Sequence, residues 1–294
     1  MSELGLSLVL VLLVSTGLFM VTVRLSETLS TAKRNAFAAT VMFLGVAYHW
    51  LFRDGAAFEQ LLSHANLIVL SNWIPIFAMI LAGLVWTNTA ILKWRRALSV
   101  FGLVVASLYS ASSPVLGVAP QCEERWDGDV CMQTTPWTCS PASAATLLKA
   151  HGIPATEQEM AKLCLTRQGT RWMGLYRGLS LKTEGTGWRV ELIHGSIETL
   201  RDNEPAILVA ELPEDLPNRD EYRRTSGWIP GQQHAVVFIR FLDEDRLVVA
   251  DPSFGRELWR TDELQTLWTG MAMRLVPRTP VLNSMRNQVA ANLR

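Results

Sequence analysis

Cysteine is scarce in this chain and charge of either sign is balanced, and each shortage closes a class of functions. Four cysteines in 294 residues are too few for a small disulfide scaffold. They also lack the paired Cys-x-x-Cys and His-x-x-x-His spacing of a zinc site, so no metal is expected. Lys plus Arg and Asp plus Glu stand at 27 each. That balance gives no electrostatic reason to propose a nucleic-acid partner. No Gly-x-x-x-x-Gly-Lys-Ser/Thr run occurs, which excludes a phosphate-binding loop of that type. No internal repeat or low-complexity tract is evident either.

What is present is long hydrophobic runs. The chain up to about residue 118 is strongly apolar, and the remainder is mixed like a water-exposed domain. Four stretches, 5–23, 36–52, 67–87 and 97–117, approach the ~20 residues needed to cross hydrocarbon. The first competes with a cleaved signal peptide, but Met1-Ser2-Glu3 lacks a positive n-region and no small-residue cleavage site follows, so it is read as a retained span. Positive residues near span ends stay cytoplasmic. The first connection holds Arg24, Lys33 and Arg34 and the third holds Lys93, Arg95 and Arg96, whereas the second holds only Arg53. Connections one and three are thus expected inside, with the N-terminus and everything after about 118 outside the cytoplasm. That compartment permits disulfides, so Cys122 and Cys131 are either bridged or two free thiols.

Beyond the spans, residues 119–132 read as a tether, 133–278 as a folded domain and 279–294 as a loose tail. A helix is signalled from Ser140, with Pro141 in its first turn and Gly152 as its stop. A second opens at Thr156 and Glu159, spaced as a capping box. A third runs from about Met173 to Leu181. After Gly187 the period changes to strand-like runs at 188–193, 206–211, 234–241, 246–250 and 271–276. Helices first and an antiparallel sheet afterwards make an α+β domain. The polar segment from Pro213 to Gln233 has no clear period and is expected as a surface loop, either bordering a cleft or an inert insertion.

The candidate chemistry sits on four residues. Cys139 falls at the mouth of the first helix, where the positive end of the dipole favours a thiolate. His234 opens one strand and Asp251 closes the next. A short hairpin through Asp243-Glu244-Asp245 brings those two ends together, because antiparallel partners run in opposite directions. A thiol, an imidazole and a carboxylate that converge make an acyl-transfer site, with the carboxylate holding the imidazole in the useful tautomer. Gln133, six residues before Cys139, offers an amide donor for the oxyanion of a tetrahedral intermediate. Against these stand ordinary alternatives: an inert buried cysteine, a solvated loop glutamine and a turn aspartate before proline. Cys164, at helical spacing from Met160, is read as core. His49, His64, His151 and His194 are given no catalytic role.

Gln133 through Ala145, Gly169-Thr170, His234 to Val237 and Asp251-Pro252 together resemble the bacteriocin-processing, double-glycine leader peptidase family of papain-like cysteine proteases. The resemblance covers most of 130–277. It implies a papain-like cysteine peptidase fold with Cys139 as nucleophile, His234 as general base and acid, Asp251 as orienting carboxylate and Gln133 in the oxyanion hole. It further implies cleavage after a small-residue pair such as Gly-Gly. Two departures are visible. Ser140 stands where the family has glycine, and the best-known members are cytoplasmic N-terminal domains of ABC exporters, whereas this domain follows four spans.

The expectation is therefore a multi-pass protein of the bacterial inner membrane, an all-α transmembrane bundle followed by an α+β peptidase domain on the periplasmic side. Its partners are a peptide or protein substrate and the lipid bilayer, with an export or processing complex as a further one. No cofactor is needed for such chemistry. Two rivals stay open: a non-catalytic peptide-binding module, and a transpeptidase or transglutaminase-like acyl transferase.

Overall fold

A computed structural model of the chain describes residues 3–51, 65–201, 203–217 and 219–278. The expectations for Arg53, His64 and the tail 279–294 lie outside the described residues. Two compact units emerge, one made by the chain up to Val118 together with Trp172–Arg177, the other by the rest.

The first unit is helical: α1 (Glu3–Glu27), α2 (Thr31–Leu51), the single turn α3 (Leu67–Leu70), α4 (Ile74–Trp86) and α5 (Lys93–Ser112). The third expected span is broken at 71–73, just before Pro75, whose missing N–H suits a first turn and not an interior. The fourth ends at Ser112 instead of running to 117, because Pro114 cannot continue it. Among the described residues, two segments are long and apolar enough to cross a membrane: Leu4–Glu27 and Ile68–Trp86.

The helices carry their polarity inside out. On α1 the buried positions include Ser7, Ser15, Thr22 and Ser26, whereas Leu6, Leu10, Leu13, Met20 and Leu25 face outward. On α5 Ser107 and Ala111 are buried while Leu98, Phe101, Val105 and Leu108 are exposed. A helix of a water-soluble protein shows the reverse. Gly83 lets α4 close on α1, since a Cβ there would lie 2.9 Å from Thr22 Cβ. At one end Arg34 donates to Thr87 O at 2.8 Å and to Ser26 O at 3.0 Å. The α1–α2 and α4–α5 turns therefore meet at the same end of this unit.

The second unit begins with a ribbon, β1 (Trp126–Asp127) and β2 (Val130–Cys131), inside the stretch expected as a tether. Then come α6 (Cys139–Ala150), α7 (Glu157–Leu163), α8 (Trp172–Lys182), of which only the part from Gly178 on counts with this unit, β3 (Trp188–His194), α9 (Ile197–Arg201), β4 (Ala206–Glu211) and α10 (Arg219–Ser226). The chain finishes with β5 (Gln233–Phe241), β6 (Arg246–Asp251), β7 (Gly255–Arg260), α11 (Thr261–Leu267) and β8 (Trp268–Pro277). The capping box of α7 forms as the spacing predicts, with Thr156 Oγ1 accepting from Glu159 N at 3.1 Å. Gly152, at φ +71°, ends α6.

Six strands form one antiparallel sheet in the order β3-β8-β4-β5-β6-β7. The fold is α+β with a C-terminal antiparallel sheet, as expected. Register puts His234, Val236 and Phe238 on one face with Leu247, Val249 and Asp251. Glu257 and Trp259 share that face, opposite Val249 and Leu247. The main core forms there, from Leu208, Val236, Phe238, Val249, Leu264 and Leu267, among others. On the strand carrying His234, Ser143 Oγ of α6 donates to Ala235 O at 2.9 Å, which fixes the helix to the sheet.

Two corrections follow. The segment 213–233 is not a featureless loop: it contains α10 and delivers the buried Trp228 to the core. The strand β7 and the helix α11 arise where no regular element was expected. The turn Asp251 to Gly255 is tight, with Gly255 at φ +105°, so the chain doubles straight back along β6.

Candidate active site

Cys139 is the first residue of α6, and the N-cap, Thr138, makes no side-chain bond to the helix end. Its hydroxyl is spent on Thr135, donating to Thr135 O at 3.1 Å. The first-turn N–H groups and the positive end of the dipole are thus left beside the sulfur. Burial pushes the Cys139 thiol up, but a hydrogen bond and the charge of His234, the Ala235 backbone N–H and the Ser140 hydroxyl together bring it below its ordinary value. Ser140 is thereby a donor to the thiolate at the position where the resembled family has glycine.

His234 lies between two anions. One ring nitrogen, Nε2, is 2.9 Å from Asp251 Oδ1, which leaves Nδ1 for the bond to Cys139. Burial would lower the imidazole, but the Asp251 charge and hydrogen bond, reinforced by the Cys139 thiolate, push it up to about 10. Both shifts favour the thiolate–imidazolium form of the pair.

Asp251 is fully buried. Burial alone would raise its carboxyl; the charge and hydrogen bond of His234, with the Ser253 N–H and the Trp228 indole, hold it below the usual range instead. Ser253 N donates to Oδ1 at 2.7 Å and Trp228 Nε1 donates to Oδ2 at 2.8 Å. The Trp228 ring also covers His234, with centroids 4.8 Å apart. Trp228 was missed in the sequence. Its one signal there is an isolated large aromatic in an otherwise polar segment ahead of the histidine.

Gln133 is fixed from its backbone, its N–H donating to Pro252 O at 2.8 Å. Its loop is thereby tied to the residue after Asp251. Among the described residues its side-chain amide makes no hydrogen bond, although Oε1 is buried. The structure thus unites Cys139, His234 and Asp251 and anchors Gln133 beside them, without joining its amide to any of the three.

The remaining cysteines lie apart from this chemistry. Cys122, Cys131 and Cys164 are free thiols, and Cys131 and Cys164 are buried. The ribbon pairs Cys131 with Trp126, four positions beyond Cys122, so the register does not set the two thiols opposite each other. Burial pushes Cys122 up to about 11 and Cys131 up to about 12, assisted by Glu157, so both stay protonated at neutral pH. Cys164 belongs to the core, as its spacing predicts.

A thiol at a helix mouth, bonded to an imidazole on an antiparallel sheet, defines a domain of the cysteine peptidase class. Residues 123–272 match the Peptidase_C39 like family, half of the chain, and the chain belongs to that family. An uncharacterized protein of Methanothermobacter thermautotrophicus is 28% identical over 145 residues, covering 49% of this chain and 85% of that one. One from Methanothermobacter marburgensis is likewise 28% identical, over 146 residues, with the same coverage. Among solved structures, the peptidase domain of Streptococcus ComA, described as a bi-functional ABC transporter of a quorum-sensing pathway, is 23% identical with a TM-score of 0.39. That match covers 50% of this chain and 96% of ComA's domain. A double glycine motif protease from an AMS/PCAT transporter, solved with the leader peptide, is 17% identical at the same TM-score, covering 55% and 100%.

Proposed function

We propose that this chain is a membrane-anchored cysteine peptidase of the bacterial inner membrane, with its catalytic domain on the extracytoplasmic side, and that it hydrolyses peptide bonds of an exported peptide or protein. The observation that carries the reading is His234 held between Cys139 and Asp251, 2.9 Å from the carboxylate.

In the proposed reaction the Cys139 thiolate attacks the scissile carbonyl carbon. The resulting oxyanion is met by the Cys139 backbone N–H and by the uncommitted amide of Gln133. His234 gives its proton to the leaving amine as the tetrahedral species collapses to a thioester. It then takes a proton from water, whose attack releases the acid and restores the thiolate. Asp251 keeps Nδ1 turned to the sulfur throughout and stabilises the imidazolium. Cleavage after a small-residue pair such as Gly-Gly is part of the proposal, by kinship with the double-glycine peptidases.

The membrane part rests on the inverted helices. Leu, Met and Phe outside with Ser, Thr and Gly inside is the arrangement that suits lipid, where close packing and interhelical polar contacts replace the hydrophobic drive. The Lys and Arg residues concentrated where the α1–α2 and α4–α5 turns meet favour that end for the cytoplasm.

A thiol-directed peptide electrophile tests the site. Cys139 should be labelled at neutral pH, and Cys139→Ala should remove both labelling and cleavage while the domain stays folded. Labelling of Cys164 in preference to Cys139 would overturn the assignment. Product mass separates hydrolysis from transfer to an amine. A reporter fused after Arg294 should be active only outside the cytoplasm.

A further inference from the structure

Trp228 is shared between the triad and a second feature. Its ring lies 4.8 Å from that of His234 and 5.8 Å from that of Trp259. It also walls a cavity of about 140 Å³ whose other sides are Tyr222, Leu258, Trp259, Leu267 and two carboxylates, Glu257 and Glu263. Three aromatic rings and two acids thus enclose a space one indole away from the catalytic histidine.

The carboxylates hold only neutral donors. Trp259 Nε1 donates to Glu257 Oε2 at 2.9 Å, Tyr222 Oη to Glu263 Oε1 at 3.1 Å, and Arg260 N to Glu263 Oε2 at 2.8 Å. Neither acid forms an ion pair among the described residues. Three guanidinium groups of this region are already taken: Arg256 pairs with Asp129, Arg260 with Asp262 and Arg246 with Asp243. Arg223 and Arg224, which follow Tyr222 on α10, form no ion pair among the described residues. Burial, with Asp251 and Glu263 adding to it, lifts the Glu257 carboxyl above its ordinary range, against the Trp259 hydrogen bond and the more distant charge of His234. Half-buried carboxylates without a cation are costly, and a cation that enters relieves the cost. Aromatic faces around it add attraction to the same charge. A neutral chain of equal length would desolvate the acids and return nothing, so the cavity discriminates by charge.

We infer that this cavity is a subsite for a basic side chain, lysine or arginine, of the peptide substrate. The identity of the occupant rests on the peptidase reading above; the preference for an alkylammonium or guanidinium group rests on the cavity alone. Trp228 then serves two ends, holding Asp251 through its indole N–H and flanking the bound cation with its ring.

Calorimetry on the full-length Cys139→Ala chain in detergent micelles tests the cavity without catalysis. N-acetyl-lysine amide should bind and N-acetyl-norleucine amide should not, and Glu257→Gln or Glu263→Gln should weaken the lysine probe at least tenfold. Equal binding of both probes, or binding indifferent to both substitutions, overturns the inference. Putrescine binding tenfold tighter than the lysine probe would assign the cavity to a free amine and overturn the peptide occupant. In the active chain, a peptide electrophile bearing lysine at one position should label Cys139 at least tenfold faster than its norleucine counterpart, and Glu257→Gln should erase the difference. Probe binding without any labelling would sink the peptidase reading and leave the cation site standing; labelling at equal rates with lysine at every position would do the opposite.

Discussion

Trp228→Phe isolates one hydrogen bond of the Cys139–His234–Asp251 cluster. The ring that covers His234 is retained in kind, while the indole N–H that meets Asp251 Oδ2 at 2.8 Å is lost. Asp251 is fully buried, so no water replaces the missing donor. A hydrogen bond to a charged group contributes about 1.5–3 kcal/mol. At about 1.36 kcal/mol per unit, the folded-state pKa of Asp251 should rise by roughly one to two units. The sign fixes the pH window. Because the folded carboxyl sits below its unfolded value of 3.8, its ionisation stabilises the fold above that value, and the contribution is lost as pH falls through the folded pKa. The variant should therefore be less stable by about 1.5–3 kcal/mol at neutral pH, beyond a pH-independent cost of the smaller ring. The pH-dependent part should shrink on acidification and vanish once both proteins carry a protonated Asp251. Urea unfolding of the full chain in detergent micelles, followed by circular dichroism from pH 7 downward, measures the gap. A gap of the same size at every pH would show that the bond contributes nothing through the carboxylate.

Three further outcomes are expected. Turnover of a peptide should stay high from near-neutral pH until about 10, then fall as His234 loses the proton it gives to the leaving amine; a fall centred near 6.5 would mean that the imidazole is not raised by Asp251. Asp251→Asn should lower turnover, but less than His234→Ala, since the amide still contacts the ring while the charge that stabilises the imidazolium is gone; steady-state kinetics with one peptide compares them. Gly255→Ala should lower the melting temperature, because φ is +105° and the new Cβ would lie 2.8 Å from Asp127 Oδ2; an unchanged melting curve would show that the ribbon yields freely.

The Cys139–His234–Asp251 cluster was legible in part because two short-range rules bear on it. Helix punctuation put Cys139 at a helix mouth, and the two strands flanking Asp243-Glu244-Asp245 brought His234 to Asp251. Neither needed long-range information, whereas the docking of α6 on β5 that brings Cys139 to His234 did. What the sequence hid depends on tertiary burial. Trp228 sits in a polar stretch without periodicity, and only the folded core decides that this tryptophan turns inward. Strand β7 reads Gly-Arg-Glu-Leu-Trp-Arg, too charged to look like a strand, yet as the sheet edge it needs to bury little more than one face. Hydropathy located the helices of the first unit but overran α5 and bridged α3 and α4, since an average over a window is blind to a single proline. The ribbon at 126–131 was hidden because two-residue strands leave no period to read.

One bond described above closes a circuit. Cys139 is bonded to His234, His234 to Asp251, Asp251 is followed by Pro252, and Pro252 O accepts from Gln133 N, from which six steps of chain return to Cys139. Around such a ring, spacing errors have nowhere to accumulate, so removing a single residue between Thr134 and Thr138 should be felt at the carboxylate as strongly as at the sulfur.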